Sequence, residues 1–413
     1  MAGLRLYVPV PAIRRCVSLS VILSLLLLPA SFSAAESGQV VIAIGDVHGN
    51  FDGFCDILKR VGLIDDSRHW AGGQAVLVQT GDLVDRGAKE RAVLDLMMNL
   101  ESEAPEVGGQ VEFLLGNHEV MNLMGDVRYV TPEIFATFAS PDSDALRKSS
   151  YAGYLNWRTE NAALLTQAHD PQLSLSEQQW LEQHPLGFIE QRAAFSRNGT
   201  YGQWIREHHA VEKFDSIVYL HGGIAPEQAR NNISQINSRV RSEIRQWDDM
   251  FQYLVDRKLI LPFFTLQETS AVVKAALAPG AKLRKVPAQE VKQKLAPFQD
   301  LGSWLILADN GPLWFRGYDE WSDQDGVARA DSVLRAYNAS AIVVGHTVQK
   351  TLNIRTRFGG KVFLIDTGMV ASASRAGRAS ALQIRDNARF SAIYLDSESV
   401  LFEKGSAAAT KAP

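Results

Sequence analysis

The chain has 413 residues, 46% hydrophobic and 21% charged, a balance that suits a buried globular core and excludes a disordered or fibrous chain. Its formal net charge of −4 excludes the broad basic surface that non-specific nucleic-acid binding needs. Two cysteines, Cys16 and Cys55, are too few for a disulfide framework.

Residues 1–35 differ from the rest. Arg5, Arg14 and Arg15 precede an apolar stretch from Val17 to Leu28, followed by helix-breaking Pro29 and the small residues Ser31, Ser33, Ala34 and Ala35. That is the charged, apolar and small-residue order of a secretory leader, and the apolar stretch falls short of the ~20 residues that cross a bilayer. Cleavage after Ser33 or Ala35 is expected, giving a periplasmic or secreted protein with no stable membrane span. The alternative is an uncleaved leader that anchors the protein to a membrane. Loss of residues 1–35 removes three arginines and no acid, so −4 becomes −7, and Cys55 is left without a disulfide partner.

Five short apolar runs follow, each ending in residues that bind metal ions. In chain order they are VVIAIGDVHGN (40–50), AVLVQTGDLVDRG (75–87), VEFLLGNHE (111–119), IVYLHGG (217–223) and AIVVGHT (341–347). Each reads as a β-strand that delivers one or two ligands into a turn at its C-terminal end, which is how α/β sheets place a site along one edge. Between them, helical spacing of apolar residues predicts helices over Asp52–Val61, Ala88–Glu101 and Ala328–Tyr337. Strand, loop and helix alternate, so a layered α/β domain is expected over 36–404.

Two long inserts interrupt that alternation, at about 122–215 and 225–309. The first is rich in helix formers broken at Thr131-Pro132, Ser140-Pro141 and Asp170-Pro171; the second holds amphipathic stretches at Ser234–Lys258 and Gln267–Leu277. Both are expected to be helical caps beside the site. The small polar end, 405–413, is expected to be a disordered tail.

Two divalent ions held about 3.5–4 Å apart need a bridging carboxylate, several imidazoles and open positions for water and substrate. Asp46 and His48 can chelate one ion, Asp82 can bridge both, and Asn117, His221 and His346 can complete the second. Any one of these residues alone is ordinary, since a Gly-Asp turn after a strand is common and a lone histidine is more often a satisfied core residue. The conjunction is what carries the chemistry. Rival motifs fail: HEVMN (118–122) has Asn122 where a zincin needs a second histidine, and neither a G-x-S-x-G elbow nor a Walker A sequence is present.

In order, GDVHG, GDLVDRG, GNHE, HGG and GHT resemble the motif set of the PPP branch of the calcineurin-like metallophosphoesterases. The likeness spans 40 to about 368. It implies a central β-sandwich flanked by helices, with a dinuclear site at one edge and Asp46, His48, Asp82, Asn117, His221 and His346 as metal ligands. It also implies His118 as the acid that protonates the leaving oxygen, with Asp85 orienting it, which agrees with the way a carboxylate fixes an imidazole tautomer and favours the imidazolium. Arg86 is expected to clamp phosphate, with Asn117 beside it, and Arg316 within GPLWFRGY (311–318) is the expected second clamp. The blocks GNHEVMN, RNGTYGQWIREH (197–208) and GPLWFRGY resemble the Shewanella-like phosphatases, some of which favour phosphotyrosine.

The expected activity is therefore hydrolysis of phosphomonoesters on protein, phosphotyrosine or phosphoserine/threonine, by hydroxide bound to two divalent ions. Manganese or iron suits the mixed oxygen and nitrogen donors, and zinc is also compatible. The enzymatic alternative is a small-molecule phosphatase acting on diadenosine polyphosphates or nucleotides. A catalytically silent binding module is the reading from another class, and the intact ligand set, His118 and Asp85 argue against it. The segment IDTGMV (365–370) is expected to be core at a strand end near the site.

Overall fold

Alternating side chains sort the strands into two faces, and both faces are buried. The strands are β1 (Val40–Ile44), β2 (Val76–Gln79), β3 (Gln110–Phe113), β4 (Val211–Phe214), β5 (Ile217–Leu220), β6 (Ala341–Val344), β7 (Arg355–Arg357), β8 (Val362–Leu364), β9 (Ser380–Arg385), β10 (Arg389–Tyr394) and β11 (Glu398–Glu403). They form a six-stranded sheet in the order β11-β10-β9-β1-β2-β3 and a five-stranded sheet in the order β4-β5-β6-β8-β7. The structure is a computed structural model that describes residues 39–405 except 169, 282, 284–286 and 371–375. The expected leader and residues 406–413 of the expected tail lie outside the described residues.

Val41, Ala43, Val76 and Val78 of the first sheet share one apolar cluster with Ile217, Tyr219, Ala341, Val343 and Phe363 of the second. Phe363 and Phe390 stack across the gap with ring centroids 4.3 Å apart. Their neighbours Ile42, Ile44 and Leu77 point the other way, into a second cluster with Phe54, Ile57, Leu58, Val93, Leu94 and Met97. The period of two thus builds a β-sandwich whose outer face is covered by helices α1 (Phe51–Arg60) and α2 (Glu90–Glu103). This is the sandwich flanked by helices that the family resemblance implies.

Within the first sheet β1, β2 and β3 are parallel, and within the second β5, β6 and β8 are parallel. Six C-terminal strand ends therefore converge on one edge. β9 runs antiparallel to β1 and starts a meander to β11, three strands that the sequence motifs do not announce.

The segments 122–215 and 225–309 are mostly helical. The first carries helices such as Ser143–Glu160 and Phe188–Ala194 but ends in strand β4, which pairs with β5 through Phe214 and Ile217. The second carries Ile233–Asp256 and Leu266–Leu277. They pack on each other: Trp157 Nε1 donates to Leu259 O at 2.9 Å, and Leu266 N donates to Gly125 O at 2.9 Å. Among the described residues no helix is long and apolar enough to cross a membrane.

Candidate active site

The edge is assembled loop upon loop. Val47 N and His48 N donate to Asp82 O at 3.0 and 2.9 Å, so the loop after β1 lies on the loop after β2. Gly49, at φ +67°, is required there because a Cβ would stand 2.2 Å from Gly87 O. His48, Asp82, Asp85, Arg86 and His346 all adopt the left-handed backbone that side chains disfavour. Such strain persists only where surrounding bonds over-determine it. Here Glu119 supplies several of those bonds: its carboxylate accepts from Asp82 N at 2.8 Å, Leu83 N at 2.8 Å and Gly116 N at 2.9 Å. Glu90 accepts from Asp85 N at 2.7 Å. Glu119 and Asn117 both belong to α3 (Asn117–Met124), the helix that opens within the third motif.

Asp82 stands at the centre. Its Oδ2 lies 3.3 Å from His221 Nε2, 3.5 Å from His48 Nε2 and 3.8 Å from His118 Nε2. His221 Nε2 is in turn 2.9 Å from Asn117 Oδ1 and 3.1 Å from His346 Nδ1. Asp46 Oδ2 is 3.6 Å from His48 Nε2, and its Oδ1 accepts from His346 N at 2.8 Å. The structure thus brings together all six residues named as ligands from the sequence, none more than 7% exposed. Asp82 belongs to two tight donor groups, one with His48 and His118, the other with His221 and His346.

The ring atoms that face away from the centre are tied to main chain. His48 Nδ1 donates to Val84 O at 2.8 Å, His221 Nδ1 to Thr80 O at 2.9 Å, and His346 Nε2 to Trp314 O at 3.2 Å. Carbonyls placed in this way fix ring orientation and leave the opposite nitrogen for a cation. The donor chemistry fits two divalent ions: buried carboxylate, amide oxygen and imidazole nitrogen converge within a few ångströms.

Charges in the cluster hold one another. Burial alone would raise the carboxyl of Asp82, but His221 and His118 overcome it and keep it well below the usual range; Asp46 is also lowered, against burial, chiefly by His221. His221 is disfavoured as a cation by burial, yet Asp82 and Asp46 push it up to about 9. His346, buried and repelled by His221 and Arg316, falls to about 3 and is a neutral donor.

His118 sits beside this cluster without sharing its pattern. Its Nδ1 lies 2.5 Å from Asp85 Oδ2, a buried pair in which Asp85 is fully enclosed. Burial works against the imidazolium, and Asp82 followed by Asp85 outweighs it, so the His118 pKa is raised. Arg86 spans the mouth, Nη1 2.6 Å from His48 Nε2 and Nη2 3.1 Å from His118 Nε2. Arg316 stands on the opposite rim, donating through Nη1 to His346 O and Thr347 Oγ1 at 3.2 Å. Arg206 does not reach the site; it forks onto Asp248 at 2.9 and 2.7 Å within the cap.

A model of the calcineurin-like phosphoesterase family matches residues 40–350, the stretch that supplies every loop just described. The chain belongs to this family. This phosphoesterase is 26% identical over 352 residues to an uncharacterized protein of Schizosaccharomyces pombe, covering 84% of this chain and 78% of that one. It is 30% identical over 224 residues to Shewanella-like protein phosphatase 2 of Arabidopsis thaliana, spanning 51% of this chain and about half (52%) of the relative. Shewanella-like protein phosphatase 1 of Plasmodium berghei is 25% identical over 80% of this chain and 67% of its own length. The fold matches a cold-active protein-tyrosine phosphatase of a psychrophilic Shewanella, with TM-score 0.52 and 24% identity over 88% of this chain and 80% of that one. As a calcineurin-like metallophosphoesterase, the protein is a phosphoric ester hydrolase that works with divalent metal ions.

Two residues of the phosphoesterase cleft carried no motif. Tyr129 lies 5.0 Å from the His118 ring and 5.7 Å from the Arg86 guanidinium, and it is 43% exposed. Asp366, in the segment read as core, is indeed buried, but its Oδ2 has no hydrogen-bond partner among the described residues, and it lines the cleft with His48 and Arg86. Burial, then the charge of Asp46, raises it to about 8. A strand-end Ile-Asp-Thr-Gly turn after a sixth parallel strand could have flagged it; nothing in the sequence around Tyr129 could.

Proposed function

We propose that the protein is a metal-dependent phosphoprotein phosphatase that hydrolyses phosphomonoesters, with phosphotyrosine its favoured substrate. The observation that carries this is Asp82, whose Oδ2 faces three imidazoles at 3.3 to 3.8 Å beside a separate His118–Asp85 pair. One carboxylate shared between two donor groups, next to an imidazole held by its own carboxylate, suits hydrolysis of a phosphoester: the first serves charge on the phosphoryl oxygens and the second the leaving oxygen. The names of the Arabidopsis and Plasmodium relatives support action on protein.

Two divalent cations, manganese or iron in this reading, lower the pKa of the attacking water and neutralise charge on the phosphoryl oxygens when bound. Asp46, His48, Asp82, Asn117, His221 and His346 would hold them. Arg86, forked between His48 and His118, takes the phosphate bidentately, and Arg316 receives it from the opposite rim; a planar guanidinium matches paired phosphate oxygens. Once Arg86 has turned from His118 Nε2 to the phosphate, His118, with Nδ1 bound to Asp85, carries its mobile proton on Nε2 and gives it to the leaving oxygen. A positioned acid of this kind contributes about 10²- to 10⁴-fold. Arg86, Arg316 and His118 act only on oxygens and water is the nucleophile at phosphorus, so the phosphoryl group passes to water and no phosphoenzyme forms.

The cleft beside Arg86 supports an aryl ester. It has a volume of about 390 Å³ and is walled by Tyr129, Val130, Val348 and Val370, with Arg128 at its rim. A flat apolar ring beyond the phosphate fits that wall, whereas a seryl methylene leaves it empty. The leader pattern supports export to the periplasm or beyond.

The test is turnover of phosphotyrosine and phosphoserine peptides and of diadenosine tetraphosphate, with manganese and after chelation. Manganese-dependent turnover highest on the tyrosine peptide is expected. Exclusive cleavage of the dinucleotide would replace the protein substrate with a small molecule, and turnover that survives chelation would remove the metal mechanism.

A further inference from the structure

The cap helices lie away from the metal cluster, yet one of them is bonded to the proton donor's partner. Asp85 is fully enclosed, and its two oxygens have different partners: Oδ2 meets His118 Nδ1 at 2.5 Å, and Oδ1 accepts from Asn122 Nδ2 at 2.9 Å. Asn122 is one helical turn beyond His118 on α3, and its amide also donates to His118 O at 3.0 Å. Its own oxygen accepts from Gln191 Nε2 at 2.8 Å, and its carbonyl accepts from Arg192 Nη1 at 2.9 Å. Gln191 and Arg192 belong to the cap helix Phe188–Ala194 and are buried.

We propose that Asn122 is a positioning residue for the Asp85–His118 pair and that the cap, through Gln191 and Arg192, keeps it in place. The inference rests on His118 being the acid of the proposed reaction. A carboxylate with a donor on one oxygen only can swing about its last torsion. With donors on both, its plane is fixed, and so is the imidazole in line with it. The amide cannot turn over, because its oxygen would then face the carboxylate and its NH₂ would face the NH₂ of Gln191. Removing the Asn122 donor leaves a buried carboxylate oxygen unsatisfied, and an unsatisfied buried acceptor is costly enough to reorganise around. The cap thereby belongs to the catalytic apparatus.

Proton donation matters most when the leaving group is a poor one, so a misplaced acid is read by the leaving group. A purely structural lesion lowers all substrates alike. The experiment compares the unmodified protein with Asn122→Leu, Gln191→Glu and His118→Asn, all loaded with manganese, on p-nitrophenyl phosphate and on phenyl phosphate. Bound manganese is measured alongside. The proton resonance of His118 Nδ1 is recorded on chelated samples of the proteins that retain His118. Asn122→Leu is expected to lose about 10- to 100-fold in kcat on phenyl phosphate and several-fold less on p-nitrophenyl phosphate, with manganese content unchanged and the far-downfield Nδ1 proton shifted or lost.

Gln191→Glu touches neither Asp85 nor His118, and it is expected to show the same pattern more weakly. It keeps the test open should Asn122→Leu fail to fold. If His118→Asn becomes leaving-group sensitive while neither Asn122→Leu nor Gln191→Glu does, the positioning role falls and the acid stands. If His118→Asn shows no added sensitivity, the acid assignment falls and the positioning role falls with it.

Discussion

His221 shows how far single residues here are set by their neighbours. Asp82 and Asp46 hold its imidazole up to about 9 against the pull of burial, compared with ~6.5 for a free histidine. A group raised on folding adds stability that is fully present below the unfolded value and is lost as pH climbs through the folded one. Asp366, raised to about 8, acts with the same sign at lower pH. In the proposed reading His221 holds a cation and needs its ring without that proton, so a bound metal would replace the proton as the partner of Asp82. Chelated protein is therefore expected to lose melting temperature between pH 6.5 and pH 9, while manganese-loaded protein changes much less. Thermal melts of both forms across that window check this, and a chelated form that holds steady or gains stability would show that His221 is not charged by its carboxylates.

At the scale of elements, the strand-end loops depend on close backbone contact that only certain residues permit. Gly345 follows β6, and a Cβ there would stand 2.5 Å from Asp46 Oδ1 and 2.9 Å from Thr80 Oγ1. Gly345→Ala must therefore push Asp46 off the bond it accepts from His346 N, with little effect on the sandwich core. A weakening of manganese affinity by about 10-fold or more is expected, the range seen when support for a metal ligand is disturbed. Calorimetric titration with manganese measures it, and an affinity equal to the unmodified protein would mean that Asp46 does not bind the ion. What was legible beforehand follows the same division. Asp46, His48, Asp82, Asn117, His221 and His346 were readable because metal chemistry restricts residue type and turns demand glycine beside them. Glu119, Asn122 and Tyr129 were not, because a buried carboxyl that clasps amides, or a ring that lines a cleft, has no spacing of its own. Strands β9 to β11 carry no chemistry and passed unread for that reason, and β4 was hidden at the end of a segment dominated by helix formers.

At the scale of the whole molecule, the sandwich brings residues 300 positions apart into direct contact, as between Asp46 and His346. Neither sheet supplies a complete donor set: Asp46, His48, Asp82 and Asn117 follow strands of the first, His221 and His346 follow strands of the second. The two sheets must pack face to face, through Val41, Val78, Tyr219 and Val343, before the donors can converge. The helical segments then close over α3, where His118, Glu119 and Asn122 reside. The central claim is that two cations meet on Asp82, and anomalous diffraction from manganese-soaked crystals of the protein and of Asp82→Asn measures it directly. Two peaks about 3.5–4 Å apart with Asp82 Oδ2 between them are expected in the unmodified protein, and loss of at least one in the variant. A single peak, or a pair that Asp82 does not join, would contradict it.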